Sequence, residues 1–301
     1  MKHARLDEQN AAYLALMNNQ LLHIPFSSVS SSPPSRILDV GCGTGATTLQ
    51  LAAAFPNASA IGLDLSPVPA LQNAPSPNVR AVQGNFLDPT TLVVAAREHD
   101  GQGGKAGVEE GLIEKDGFDL VFSRLLVMGV DDWDGFYARV RDVLKPGGGA
   151  WVETQDLDQV WYAPSITTNG DGGGGGGRPR RISDEWPWLA ALREASTRRG
   201  MDLECASKAA GRMRRAGLVD VRTERFVLPL GEWAAHPEAD AAARFARRTL
   251  RACLQGLLAR MLREDGVPEA SIAALAADVL PDGLWGVGVH RVLTVTCGRR
   301  P

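Results

Sequence analysis

The sequence predicts an α/β protein in which a mostly parallel sheet carries helices on both faces. Three observations lead there. Short apolar runs that stop at glycine or at a turn signal alternate with segments of helical periodicity through residues 36–154. A glycine-rich turn, Gly41-Cys42-Gly43-Thr44-Gly45, joins the first apolar run to the first of those helices. The chain closes on residues 290–297, where Val292, Thr294 and Thr296 alternate with Leu293, Val295 and Cys297 in the period of two that marks a strand.

The elements follow in order. Residues 4–18 have helical spacing, with Leu6, Tyr13, Leu14 and Met17 available for one face. A Ser/Pro stretch, 27–35, ends that segment. The run from Arg36 to Val40 is short, apolar and bounded by glycine, which reads as a buried strand. A helix is expected over 45–54 and a second strand over 59–63. Ser76-Pro77-Asn78 announces a third strand at 79–83. Asp88-Pro89 reads as a helix start, and residues 90–98 as that helix. A Gly-rich charged stretch, 100–107, reads as a surface insertion. A fourth strand is expected at 118–123, a helix at 133–144 stopped by Pro146 and Gly147, and a fifth strand at 150–154.

Beyond residue 160 the pattern changes. Residues 169–177 include six consecutive glycines, either a lid or a tolerated insertion. Helical segments are expected at 186–199, 207–216, 238–263 and 271–280, with a strand at 220–228 before the closing strand.

Composition narrows the function. Hydrophobic residues make up 44% of 301, enough to bury a large core. A formal net charge of -3 supplies no basic excess to neutralise phosphates, which argues against nucleic acid as a partner. The arginines from 244 to 251 share their segment with Phe245, Leu250, Leu254 and Leu257, the pattern of a solvated helix face. Cys42, Cys205, Cys253 and Cys297 are widely spaced, so neither a zinc site nor a disulfide framework is expected. No uncharged apolar run reaches the ~18 residues that span a bilayer, and no apolar signal segment is visible. These readings favour a cytoplasmic protein with no membrane partner.

The chemistry concentrates at the glycine turn. Gly41, Gly43 and Gly45 remove Cβ atoms where the turn is tight and a ligand must approach backbone. The helix that follows presents free N–H groups. Asp39 sits two residues before the first glycine. A carboxylate there repels pyrophosphate but suits the ammonium and sulfonium charges of S-adenosylmethionine. The spacing alone also satisfies a loose nicotinamide fingerprint. Asp64 ends the second strand and is followed by Leu65. An acid there can accept hydrogen bonds from both ribose hydroxyls of any adenosyl ligand. After the third strand, the Asn85 amide can bond an adenine edge and Phe86 can cover its face.

The discriminating run is Leu144-Lys145-Pro146-Gly147-Gly148-Gly149 before the fifth strand. With Asp39-Val40-Gly41-Cys42-Gly43-Thr44-Gly45 it resembles the class I S-adenosylmethionine-dependent methyltransferases over residues 36–154. The resemblance implies a Rossmann-like sheet of seven strands with the last antiparallel, plus a helical cap. It also implies S-adenosyl-L-methionine as cofactor, with S-adenosyl-L-homocysteine as its product. A narrower likeness involves Asp131-Asp132-Trp133, Trp151-Val152-Glu153, Ala216-Gly217-Leu218-Val219-Asp220-Val221, Pro229-Leu230-Gly231-Glu232-Trp233 and the ending Gly298-Arg299-Arg300-Pro301. These are similar to a fungal group of secondary-metabolite methyltransferases and relatives of a global regulator of such clusters.

On that reading, residues 1–35 close over the cofactor, 36–160 and 216–301 form the methyltransferase domain, and 161–215 and 234–282 form a helical cap on the substrate side. Expected cofactor contacts are Tyr13, Asp39, Gly41, Gly43, Gly45, Asp64, Leu65, Asn85, Phe86, Ser123 and Arg124. Glu153, Arg124 and His236 are the candidates for catalysis, with Tyr162 and His290 behind them and no metal. Arg124 can clamp an acceptor carboxylate, anchor the methionine end, or pair with Asp131 or Asp132. Trp161, Trp186 and Trp188 either line an aromatic acceptor pocket or pack the cap. The implied activity is methylation of a small organic acceptor at oxygen or nitrogen. A cofactor-binding regulator acting through protein partners, and a non-methylating cyclase, are the alternatives. Oligomeric state is not legible here.

Overall fold

The computed structural model describes residues 2–25, 33–74, 76–94, 112–163, 179–231, 236–285 and 288–301. The insertions expected at 100–107 and 169–177 lie outside them, as does Glu232-Trp233.

Helix α1 (Lys2–Leu16) precedes the sheet. The sheet-forming core then runs β1 (Arg36–Val40), α2 (Ala46–Ala54), β2 (Ser59–Asp64), α3 (Pro69–Gln72), β3 (Val79–Asn85), β4 (Asp88–Val94), β5 (Leu120–Arg124), α4 (Trp133–Val143) and β6 (Trp151–Leu157). Two short strands, β7 (Tyr162–Ala163) and β8 (Arg180–Arg181), lead to α5 (Pro187–Thr197), α6 (Cys205–Arg215) and β9 (Val219–Pro229). The chain finishes with α7 (Asp240–Glu264), α8 (Glu269–Ala277) and β10 (His290–Arg299).

The described strands form one ten-stranded sheet, ordered β4-β3-β2-β1-β5-β6-β10-β7-β8, with β9 on the other edge of β10. Parallel pairing joins β3, β2, β1, β5 and β6. β10 is antiparallel to both β6 and β9. The seven strands expected are therefore present, with β10 reversed, and three more extend them.

One of the additions corrects the sequence reading. Residues 88–94 form a strand antiparallel to β3 rather than the start of a helix. Thr90, Thr91, Val93 and Val94 are β-branched and favour a pleated strand over a helix. Asp88 serves the hairpin: its Oδ1 accepts from the Thr90 amide at 3.1 Å and the Thr90 hydroxyl at 2.6 Å. Residues 95–98 of the expected helix lie outside the described residues.

Alternation along β1 sorts the two faces. Ile37 packs with Leu51 of α2 and with Leu120, Phe122 and Trp151. Leu38 and Val40 face the opposite layer with Phe136 and Val140 of α4. In α4 the buried residues Trp133, Phe136, Tyr137, Val140 and Val143 hold one helical stripe, and Asp132 caps the helix by accepting from the Gly135 amide at 2.8 Å.

The segment expected as cap divides. α6 packs on β6, β9 and β10, so it belongs to the helical layer of the sheet. α5, α7 and α8 pack on one another, and α1 lies along α7. Trp186 stacks on Trp188, and Trp161 meets the first tilted and the second edge-on, with centroids 5.3–5.7 Å apart. In α7, Arg244, Arg247 and Arg248 are exposed while Phe245 and Leu254 are buried, the amphipathic pattern expected. No helix among the described residues is long and apolar enough to cross a membrane.

A buried acid ties the N-terminal segment to the sheet. Glu153, in β6, is fully buried. Its Oε2 accepts from the amides of His23 at 2.7 Å and Ile24 at 3.0 Å, and its Oε1 from Gln155 Nε2 at 2.6 Å. Burial raises its pKa, opposed by the Gln155 and His23 hydrogen bonds. Glu153→Ala leaves two amides without their acceptor, so the free energy of urea unfolding is expected to fall by about 1–3 kcal/mol. An unchanged midpoint and slope would remove Glu153 from this role.

Candidate cofactor and acceptor site

The site grows from the turn after β1. The Gly41 and Cys42 amides donate to the Leu63 carbonyl at 2.7 and 3.0 Å, which pins the turn to the end of β2. The turn then needs left-handed backbone, and Gly41 and Gly43 hold φ of 71° and 61°. A Cβ on Gly43 would meet only Leu6, at 3.8 Å, so this glycine opens onto space. Gly45 has another task. A Cβ there would lie 2.5 Å from the Leu71 side chain, so Gly45 lets α2 approach α3 and does not line the cavity.

Asp64 braces the turn from β2. Its Oδ2 accepts from the Gly43 amide and its Oδ1 from the Ser66 amide, both at 2.9 Å. Beside it Leu65 is 64% exposed, and Gly84, Asn85 and Phe86 line the cavity from the end of β3. Phe86 meets Phe136 edge-on at 5.5 Å, which fixes its ring. Asn85 spends its Oδ1 on the Leu87 amide at 2.9 Å.

Asp39 points to the α2 face, where its Oδ2 accepts from the Thr48 hydroxyl at 2.7 Å. Burial pushes its carboxyl up to about 6, against the opposing pull of Thr48 and Arg124. Arg124, ending β5, donates from Nε to Gln155 Oε1 at 2.7 Å and from Nη1 to Asn10 Oδ1 at 2.6 Å. Neither Asp131 nor Asp132 pairs with it among the described residues. Its Nη2 is buried without a described partner. Burial brings its pKa down to about 10 despite Asp39 and Glu153 nearby.

α1 roofs the turn. Thr44 Oγ1 donates to Asp7 at 2.6 Å, Thr47 Oγ1 to Asn10 at 3.1 Å, and Arg248 of α7 pairs with Glu8. Arg5, Gln9, Asn10 and Tyr13 line the space beneath.

The cavity has a volume of about 1040 Å³ and opens to solvent. It runs from Asp64, Leu65 and Asn85, past Asp39, Gly41, Gly43 and Arg124, to Gln159, Leu228, Phe245, Leu254 and Arg291. Two carboxylates and an open glycine turn at one end fit an adenosyl ligand bearing an ammonium and a sulfonium. Arg124 lines the cavity beside that end. The same carboxylates disfavour a pyrophosphate.

The remaining sequence candidates fall elsewhere. Ser123 is buried beneath the cavity and does not line it. Glu153 is not at the carboxyl edge as expected: it stands mid-strand, covered by residues 21–24, and carries no reacting group to the cavity. His236 precedes a 3-10 turn at Pro237–Ala239, bonds Glu238 at 3.0 Å and is remote from the lining. Tyr162 and His290 stack on each other outside it, and the three tryptophans pack the cap. Of the three catalytic candidates, Arg124 alone lines the cavity.

Asn10, Gln159 and Arg291 were missed. Asn10 carries no signal beyond helical spacing. Arg291 did carry one: it occupies the phase of Leu293, Val295 and Cys297, where a charge is out of place.

Residues 38–150 match the family model described as "Methyltransferase domain". The chain is 28% identical to methyltransferase str2 of Strobilurus tenacellus over 155 residues, 52% of this chain and 46% of that protein. It is 24% identical to the secondary metabolism regulator LAE1 of Cochliobolus heterostrophus over 233 residues, 77% of this chain and 64% of that protein. The chain thus spans about half to two thirds of these relatives. Among solved structures it is similar to phosphoethanolamine N-methyltransferase 2 of Haemonchus contortus, with TM-score 0.49 and 15% identity over 96% of this chain and 56% of that one.

Two outcomes follow from the acidic end. A ligand ammonium, which S-adenosylhomocysteine keeps, pairs with Asp39 only when that carboxyl is ionised, and it titrates near 6. S-adenosylhomocysteine affinity, read by calorimetry, is expected to be about tenfold weaker at pH 5 than on a plateau above pH 7. Asp39→Asn should flatten that profile, and a wild-type affinity independent of pH would contradict this role. Asp64→Ala is expected to weaken the same binding by about 1–3 kcal/mol through lost hydrogen bonds to the ligand and the turn. Unchanged affinity in folded variant would take Asp64 out of the site.

Proposed function

We propose that this chain is a class I S-adenosylmethionine-dependent methyltransferase and that it methylates a small organic acceptor held beneath α7. The observation that carries this reading is the continuity of the cavity. At about 1040 Å³ it matches the upper end of the ~300–1,000 Å³ typical of small-molecule sites. It extends beyond the acidic end into a lobe walled by Leu228, Leu230, Phe245 and Leu254. That lobe suits a second, largely apolar molecule.

S-adenosylmethionine supplies an already activated methyl group. The residues of this chain then have to bind, align and exclude water. Alignment of two bound reactants is worth about 7–11 kcal/mol of barrier, so a dedicated proton acceptor is needed only where the acceptor must lose a proton. Arg124 and Asp39 orient the donor end, Asp64 and the glycine turn hold its ribose, and α1 with α7 cover both ligands. We place the acceptor, methylated at oxygen or nitrogen, among fungal secondary metabolites; the matching relatives named as regulators of secondary metabolism support that class of molecule. A second reading, a cofactor-binding regulator acting through protein partners, is favoured by the regulators that match most of the chain.

Incubation with a methyl-labelled donor and a small-molecule extract separates the two. Label is expected in an extractable small molecule by mass spectrometry. Label confined to protein, or none transferred while the donor is bound, would favour the regulator.

A further inference from the structure

We infer that the acceptor is an apolar molecule carrying one anionic group of carboxylate size, and that Arg291 holds that group. This rests on the methyl-transfer reading of the cavity. Arg291 lies on β10, is 2% exposed and lines the cavity. A buried cation costs several kcal/mol unless it is paired, and the described surroundings of Arg291 do not pair it. Its Nη2 donates to two neutral oxygens, the Asp158 carbonyl and Gln159 Oε1, both at 3.0 Å. Its guanidinium lies 4.9 Å from the centre of the Trp161 ring. Its Nε has no partner among the described residues.

Asp156 and Asp158 act on its charge through space, but the hydrogen bonds they accept come from backbone amides and not from Arg291. Asp156 accepts from the Leu126 and Leu157 amides at 2.8 and 2.9 Å. Asp158 accepts from the Ala206 and Ser207 amides at the start of α6, at 2.9 and 3.1 Å. No described carboxylate makes a contact ion pair with Arg291, and Asp158 and Asp156 act on it only through space, yet the fold holds it at the wall of an open volume. An anion arriving in that volume would supply the contact ion pair that the described residues do not.

Position assigns the anion to the acceptor rather than to the cofactor. In the order β1-β5-β6-β10, Arg291 stands three strands from the glycine turn, on the order of 14 Å at ~4.8 Å per strand. The cofactor's own carboxylate has Arg124 close to the turn. The surface between Arg291 and the α7 stripe is apolar, from Leu228, Leu230, Phe245 and Leu254. A charged head on an apolar body matches both features.

The test uses the full chain saturated with S-adenosylhomocysteine and two fluorescent probes of similar shape. One is anionic, 1-anilinonaphthalene-8-sulfonate. The other is its uncharged counterpart, N-phenyl-1-naphthylamine. The wild type is expected to bind the anionic probe at one saturable site, about tenfold or more tighter than the neutral one. Arg291→Met should erase that preference while leaving neutral-probe and S-adenosylhomocysteine affinities unchanged. Equal affinity of the wild type for both probes would overturn the inference, whether or not the variant folds. So would a folded Arg291→Met that keeps the preference or loses S-adenosylhomocysteine instead. Failure of S-adenosylhomocysteine to bind at all would sink the methyl-transfer reading separately, because the probe preference of the ligand-free protein still reads the charge of Arg291.

Discussion

The guanidinium of Arg124 is the point at which sheet, N-terminal helix and cavity meet. It is nearly buried, so its charge has to be met by directed hydrogen bonds. Gln155 takes its Nε and Asn10 its Nη1. Gln155 in turn donates to Glu153 and to the Leu21 carbonyl, and Glu153 holds the amides of His23 and Ile24. Asn10 also accepts from Thr47 of α2. One cation thus organises a chain of polar contacts from the segment after α1, across β6 and β5, to α1 and α2. The roof over the glycine turn is anchored through that chain.

The cavity is electrically divided along the sheet edge. Asp39 and Asp64 stand at the β1–β2 end and Arg291 at the β10 end. Asp39 is destabilised as an anion by burial, and a cation bound beside it would relieve that cost. Arg291 is destabilised as a cation by burial, and an anion would relieve it. Each end holds a charge that the protein meets only in part. Such uncompensated groups are expensive in a structural core and gather at binding sites. Between them stand Arg124 and Gln159, and the apolar wall of Leu228, Leu230, Phe245 and Leu254 gives the body of a ligand its surface.

The parts of the fold set by local pattern were legible in the sequence. β1, the glycine turn, β2, α4 and β10 each carry their own periodicity or punctuation, and they stand where the sequence placed them. The hairpin of β3 and β4 was not legible, because Asp88-Pro89 serves a hairpin as readily as a helix start. The β-branched run that followed was the better guide. In the site, Asp39, Gly41, Gly43, Asp64, Leu65, Asn85, Phe86, Arg124 and Tyr13 do line one cavity. Glu153 shows where reading from strand position fails. Its distance along the strand said nothing about residues 21–24 folding over it, a contact across 130 positions. Asn10 and Arg291 depend on the same kind of long-range packing. Only the misplaced charge in the apolar phase of β10 hinted at the second.

The acidic, glycine-lined end of the cavity suits S-adenosylmethionine and not a dinucleotide. Calorimetric titration of the purified chain with S-adenosylhomocysteine, with NAD as the control ligand, tests it most directly. The expected result is micromolar binding of S-adenosylhomocysteine at one site and none of NAD. Binding of NAD, or no binding of S-adenosylhomocysteine to the folded protein, would contradict it.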